Sequence, residues 1–401
     1  MVTGGRMKSR LTFIAVLVFA SGAAFAQDAS SVLLTYQRNF VRSSLATKLE
    51  LLKEASGTVK ATDIAPLYDT ALRFVLNNAG LLAGDAQLRD LALLAVQKAG
   101  ESGYTKASDD IWSVFTVYAG DGELRAAALD AYARTGMGDP KTVTDIGGFL
   151  ASQLSIYRSG MQPEYPSMEA AVAALGLLAN SDSYTVLFAA YVAAPNPVIK
   201  AKAADAITKL KGNLGAWLRG IVANNPPLER AAAFELGQGA GLSDDDRGAL
   251  AEAALNAALD WTGDSPVEQA AMYKLRVSAD KVIGDLKWQR AASSAIKHFR
   301  LLWSDWQKGK GSKDDLVAAI QTLGSMGSTE AAQALALNLQ LINAQTEQGK
   351  PWDEDILLAI IDALGNLGDK VAFDYLLYIG YLQYPDTIKS AAKDALQQLK
   401  W

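Results

Sequence analysis

An all-α solenoid of helix pairs is the architecture this sequence predicts, and three observations point to it. Apolar residues recur at helical spacing in almost every segment, alternation of period two is almost absent, and helix-ending punctuation returns at intervals near 40 residues. The chain has 401 residues, 50% hydrophobic and 20% charged, enough to bury one or two substantial cores. It holds no Cys and one His, His298. That excludes thiol catalysis, disulfides, iron–sulfur clusters, cysteine zinc sites and any metal centre or triad needing two imidazoles. A net charge of -5 and a pI near 5.2 argue against nucleic acid as the main partner, because phosphate binding needs a basic field.

The first element reads as an address. Arg6, Lys8 and Arg10 precede an apolar run from Leu11 to about Ala20, and Ala24 and Ala26 have the spacing signal peptidase prefers. Residues 1–26 are therefore expected to be a cleaved signal peptide. Loss of its three cations takes the formal charge from -5 to -8. The run is too short to cross a bilayer, which takes roughly 20 apolar residues, and no transmembrane segment is expected in the mature chain. Residue 27 is Gln rather than Cys, which removes lipoprotein anchoring. The expected destination is the periplasm or the exterior.

Residues 27–84 are expected to form N-terminal capping helices, since Ser31 to Ala55 carries more charge and fewer alanines than the rest. Residues 85–401 are expected to form the repeat solenoid, with an irregular unit around 212–313. Two stretches rich in β-branched and aromatic residues, Ile111 to Tyr118 and Tyr184 to Val192, have strand propensity. Helix-like neighbours and the lack of a hairpin partner favour buried helices for both. Further on, Leu316, Ala319, Ile320 and Leu323 make one apolar stripe, as do Leu357, Ile360, Ile361 and Leu364. Ile388, Ala392, Ala395, Leu396 and Leu399 make a third on the C-terminal capping helix expected from Asp386 to Trp401. Between the helices, Gly100, Gly136, Gly176, Gly212, Gly237, Gly324 and Gly365 follow Ala-rich amphipathic stretches. Each is expected to be a left-handed residue closing a helix. Tyr375, Tyr378, Tyr381 and Tyr384 step by three before Pro385 and either line a groove or seal the solenoid end.

The segments 123–132, 198–207 and 316–327, with Ala126-Ala127-Ala128, Ala203-Ala204 and Leu323-Gly324, resemble the HEAT-repeat family in its broad, bacterial HEAT-like sense. The likeness extends over most of residues 85–400 and implies a right-handed α-solenoid of antiparallel helix pairs with a concave inner surface that holds other molecules. It implies no reaction. Stacking has an independent reason, since a lone helix pair cannot hide its apolar stripe and must bury it against the next.

The strongest local anomaly lies between Lys281 and Lys313, where eight cations oppose only Asp285 and Asp305. Trp288, Trp303, Trp306 and His298 fall within it. The candidate binding residues are Trp288, Arg290, Lys297, His298, Arg300, Trp303 and Trp306, because guanidinium and ammonium groups beside indoles suit an acidic protein surface, a glycan such as the cell wall, or an anionic lipid head group. The alternative for the same residues is tryptophans in the core and cations on a solvated face. Residues 242–268 carry seven acids against Arg247 alone, and the two stretches would neutralise each other on adjacent units. Ser243 with Asp244, Asp245 and Asp246 reads as a helix N-cap and first turn rather than a calcium loop. No nucleotide, metal-protease or serine-hydrolase motif is found, so no catalytic, cofactor or metal residue is assigned. The function expected is a non-enzymatic module holding a protein partner in the periplasm. The alternatives are a glycan- or cell-wall-active helical enzyme of α/α toroid type, or a cell-wall-binding protein.

Overall fold

The computed structural model describes residues 29–400; the predicted signal peptide and Trp401 lie outside them. The described residues contain twenty α-helices and no strand, only an isolated bridge between Asp369 and Lys400. Both stretches of strand propensity are helical. None of the described helices is long and apolar enough to cross a membrane.

The chain divides into two compact units at Val117 and Tyr118. The first holds α1 (Ala29–Arg42), α2 (Leu45–Thr58), α3 (Ala61–Asn77), α4 (Ala86–Ser102) and α5 (Ser108–Val117). Its centre is α3, which packs on α1, α2, α4 and α5. Lys48 is buried there because its ammonium donates to the carbonyls of Phe40 at 2.6 Å and Ser43 at 2.6 Å at the C-terminal end of α1. A cation at that end meets the negative pole of the helix.

The second unit contains two series of helices. One comprises α6 (Gly122–Thr135), α8 (Tyr165–Leu178), α10 (Pro197–Lys209), α12 (Pro227–Gly239), α14 (Pro266–Asp285), α16 (Lys313–Ser325), α18 (Glu354–Leu367) and α20 (Asp386–Gln398). The other comprises α7 (Pro140–Arg158), α9 (Tyr184–Ala193), α11 (Leu214–Asn224), α13 (Asp244–Leu259), α15 (Ala292–Gln307), α17 (Thr329–Glu347) and α19 (Phe373–Ile379). Helices pack mainly on their neighbours within a series and on the adjoining helix of the other, as α14 on α16, α16 on α18 and α15 on α16. This is an all-α solenoid of helix pairs. Within 212–313, α11 packs on both α12 and α13.

Short polar caps separate the helices. Asp121, Asn196, Asn213, Ser243, Ser265, Ser312, Ser328 and Asp353 each accept a first-turn backbone N–H. Ser243 thus does what its position suggested, with Asp244 to Asp246 in the first turn of α13.

Most of the recurrent glycines do something other than close helices, although Gly136 is the C-cap of α6 with a negative φ. Gly100, Gly176, Gly237, Gly324 and Gly365 lie inside helices, and only Gly212, of the seven, has a positive φ. A Cβ on Gly324 would fall 2.8 Å from the Ala363 Cβ and 2.9 Å from its Cα. On Gly176 it would meet Ala206 at 2.9 Å, and on Gly365 the Ala395 Cα at 3.1 Å. These are crossing points of α16 with α18, α8 with α10, and α18 with α20. At these three positions the glycine marks a close helix crossing within one series. Left-handed caps fall instead at other glycines, such as Gly103 and Gly368.

One ion pair secures the start of this unit. The Arg125 guanidinium on α6 is buried, lies 5.1 Å from the centre of the Phe149 ring and reaches both Glu164 carboxylate oxygens at 2.5 Å. The Glu164 N–H donates to Gln153 Oε1 at 2.8 Å, which fixes the chain entering α8. Glu164 is only half-buried. Glu164→Ala, which takes the carboxylate from a buried cation, is therefore expected to cost about 2–4 kcal/mol in urea unfolding, and Arg125→Met about 1 kcal/mol, since the freed carboxylate can hydrate. Equal losses would contradict this account.

Candidate functional site

The tryptophan-bearing basic stretch does not form one site. In a helix successive residues turn by about 100°, so α15 presents two different sides. Ser293, Lys297 and Arg300 line one, while Ala295, His298, Phe299, Leu302 and Trp303 are buried on the other. Trp303 is 8% exposed and packs between Phe299 and Trp306, with ring centres 5.9 Å from each. Trp306 is part-buried in the same row.

His298 is 1% exposed, with Nδ1 3.3 Å from Oδ1 of the equally buried Asp280 on α14. That approach lacks hydrogen-bond geometry, and neither imidazole nitrogen has a hydrogen-bond partner in the structure. The pair faces the α14–α15 packing rather than the groove described below.

Trp288 precedes α15 and is held from behind. Its ring covers Gly248 of α13, where an added Cβ would meet it at 2.4 Å. Its indole N–H donates to Glu252 Oε2 at 2.8 Å. Arg290 lies over the same ring at 5.5 Å, and its Nε is 3.7 Å from the same Glu252 oxygen. Among the described residues, this is the one place where the acidic and basic stretches form an ion pair. Asp246 turns instead to Arg219 at 2.9 Å, and Asp244 to Arg247 at 3.1 Å. The Arg219 guanidinium and the Ser243 hydroxyl hold the Asp246 carboxyl below the usual carboxylate range.

The three cations Arg290, Lys297 and Arg300 are brought together along a groove of about 840 Å³ between α15 and α17. Across from them lie Thr329, Glu330, Gln333 and Leu337. The acid facing them, Glu330, is already engaged. The Ser328 hydroxyl donates to it at 2.7 Å and, with the Glu330 backbone N–H, holds its carboxyl below its ordinary pKa. Neither Lys297 nor Arg300 forms an ion pair among the described residues. Leu337 is 57% exposed at the groove, and Leu341, one turn on, is also exposed. The groove thus offers unpaired positive charge along one wall and apolar surface on the other. Sequence reading found the cations but not α17, because Leu337 and Leu341 look like core positions until the neighbouring helices are placed.

The tyrosine row is broken. α19 ends at Ile379, Tyr381 is exposed, and Tyr384 is buried with its hydroxyl 2.8 Å from Thr346 Oγ1 and 3.1 Å from Asn343 Oδ1.

No family model matches the chain, and no curated protein matches it. Among solved structures, one from a study of a conserved phosphorylation switch controlling the interaction between cadherin and beta-catenin is similar at 13% identity and a TM-score of 0.30, covering 93% of this chain and 97% of that one.

Proposed function

We propose that this protein is an exported, non-enzymatic HEAT-like scaffold that holds a protein partner in the groove between α15 and α17. One observation carries the reading: Lys297 and Arg300, with Arg290, line a groove whose opposite wall exposes Leu337, and the chain spends almost none of their charge internally. Aligned unpaired cations beside apolar surface suit a segment that is acidic and carries an apolar anchor. Export rests on the leader read in residues 1–26, and the absence of a reaction on the lack of any catalytic pattern in the sequence.

The experiment is in-cell crosslinking of the mature protein, followed by mass spectrometry, beside Arg290→Glu/Lys297→Glu/Arg300→Glu. All three side chains are exposed, so the variant should fold as the parent does. The expected result is a specific protein captured by the parent and lost, at least tenfold, by the variant. Capture of cell-wall fragments alone, or a pattern unchanged by the reversal, would overturn the proposal in favour of glycan binding or mere surface charge.

A further inference from the structure

We infer that the chain holds a second binding site, for a short peptide with free ends, in a cavity running from the C-terminal end of α14 across α16 to α18. The cavity measures about 500 Å³ and is lined by Lys287, Gln321, Asp362 and Asn366 among others. A neighbouring cavity of about 410 Å³ shares Gln321 and adds Lys281 and Asp285. Each falls in the size range of small-ligand sites. Both belong to the first series of helices in the second unit, and none of these six residues lines the groove between α15 and α17.

Lys287 marks the site. α14 ends in a turn in which the Trp288 N–H donates to the Ile283 carbonyl at 2.9 Å and the Lys287 N–H to the Gly284 carbonyl at 3.0 Å. This closure needs a left-handed residue at 287, where φ is 51°, and glycine takes that conformation without strain. Ala179 and Ala194, the other non-glycine residues with positive φ among the described ones, place only a methyl group. At 287 the chain accepts the same strain with a long cation that the turn does not use. Its ammonium forms no ion pair among the described residues, and the residue lines the cavity. Backbone strain of this kind clusters where a side chain serves a ligand.

On α18, the Asp362 carboxyl forms no ion pair among the described residues, and partial desolvation holds it above the ordinary carboxylate range. A carboxylate in that state gains from a cation. Lys287 does not supply it, because α16 packs on both α14 and α18 and keeps the two charges apart. The cavity therefore presents a cation and a carboxylate that leave each other unpaired. Beside them are the side-chain amides of Gln321 and Asn366, each able to donate and accept. A peptide with free ends has the matching pattern, with a carboxylate for Lys287, an ammonium for Asp362 and amides between. Among the described residues no aromatic ring lines either cavity, so a sugar has no face to stack on.

Isothermal titration calorimetry of the mature chain with tri-L-alanine tests this, beside the same peptide acetylated at its amino end, amidated at its carboxyl end, or both. Expected is binding of the free peptide, weakened about tenfold by each block, the worth of one charged hydrogen bond. Asp362→Asn should weaken the free peptide about tenfold and leave the acetylated one unchanged. Lys287→Gly should weaken the free peptide by about the same factor and leave the amidated one unchanged. It should also raise the melting temperature, because glycine releases the left-handed strain. A free peptide that does not bind overturns the inference, as does a doubly blocked peptide that binds as tightly. Binding untouched by Asp362→Asn and Lys287→Gly overturns it too. Arg290→Glu/Lys297→Glu/Arg300→Glu should leave peptide binding unchanged, and a loss there would place the peptide in the groove between α15 and α17 and overturn the second site. In-cell crosslinking through that groove reads a different surface, so the two readings fail separately.

Discussion

His298→Ala is expected to lower the unfolding free energy by about 2–5 kcal/mol, the range for truncating a large, fully buried side chain. The imidazole is 1% exposed and faces Asp280, itself 3% exposed. Truncation leaves a cavity on the packed side of α15 and a carboxylate without the group in front of it. Arg276, one turn earlier on α14, interacts electrostatically with Asp280 but also with Asp305 and Asp315, so it compensates only in part. Replacing both members, with His298→Leu and Asp280→Val, should recover most of the loss, because an apolar pair needs no desolvation of charge. Urea unfolding of the two single variants and the double variant measures this directly. A His298→Ala loss below about 1 kcal/mol would show that the pair does not hold α14 against α15. The same experiment separates packing from binding, since His298→Ala should leave partner capture by the folded fraction intact.

Gly324→Ala is expected to destabilise by about 1–3 kcal/mol, the usual cost of overpacking a tight contact. The sign is informative. In an exposed helix interior, Ala in place of Gly gains up to about 1 kcal/mol from helix propensity. At Gly324 the added methyl would fall 2.9 Å from backbone Cα of Ala363, so α16 and α18 must separate. Gly148, inside α7, has no atom within 4 Å of its would-be Cβ, and Gly148→Ala should stabilise by about 0.5–1 kcal/mol. Thermal or urea unfolding of the two variants should therefore move in opposite directions. Stabilisation by Gly324→Ala would refute the role of that glycine as a crossing point.

Much of the local structure was legible because it depends on neighbours in the chain. Period 3.6 in segments such as Leu316 to Leu323 and Leu357 to Leu364 required helices, and the capping residue Ser243 marked where one of them starts. The β-branched stretch Tyr184 to Val192 was decided by its helical surroundings rather than by its propensity. The glycine repeat was also legible as a period, but its meaning was not. A left-handed cap and a close crossing both favour glycine, the first through a positive φ and the second through a neighbouring helix within about 3 Å.

The candidate site was half legible for a related reason. Composition showed that positive charge and indoles share one stretch, yet composition is blind to direction. Lys297 and His298 are adjacent in sequence and point away from each other. Trp303 and Trp306 belong to the packing of α15, while Trp288 is held down by Gly248 and Glu252.

By itself, then, the sequence determined that this chain is helical, that its helices pair and repeat at about 40 residues, and that opposite charges are segregated along it. These follow from local periodicity, capping and composition. Only the tertiary structure decided which side of each helix is buried, which carboxylates neutralise which cations, and that Leu337 faces Lys297 and Arg300 across a groove. Burial, ion pairing and groove formation depend on distances between residues far apart in the chain, which are set when helices pack.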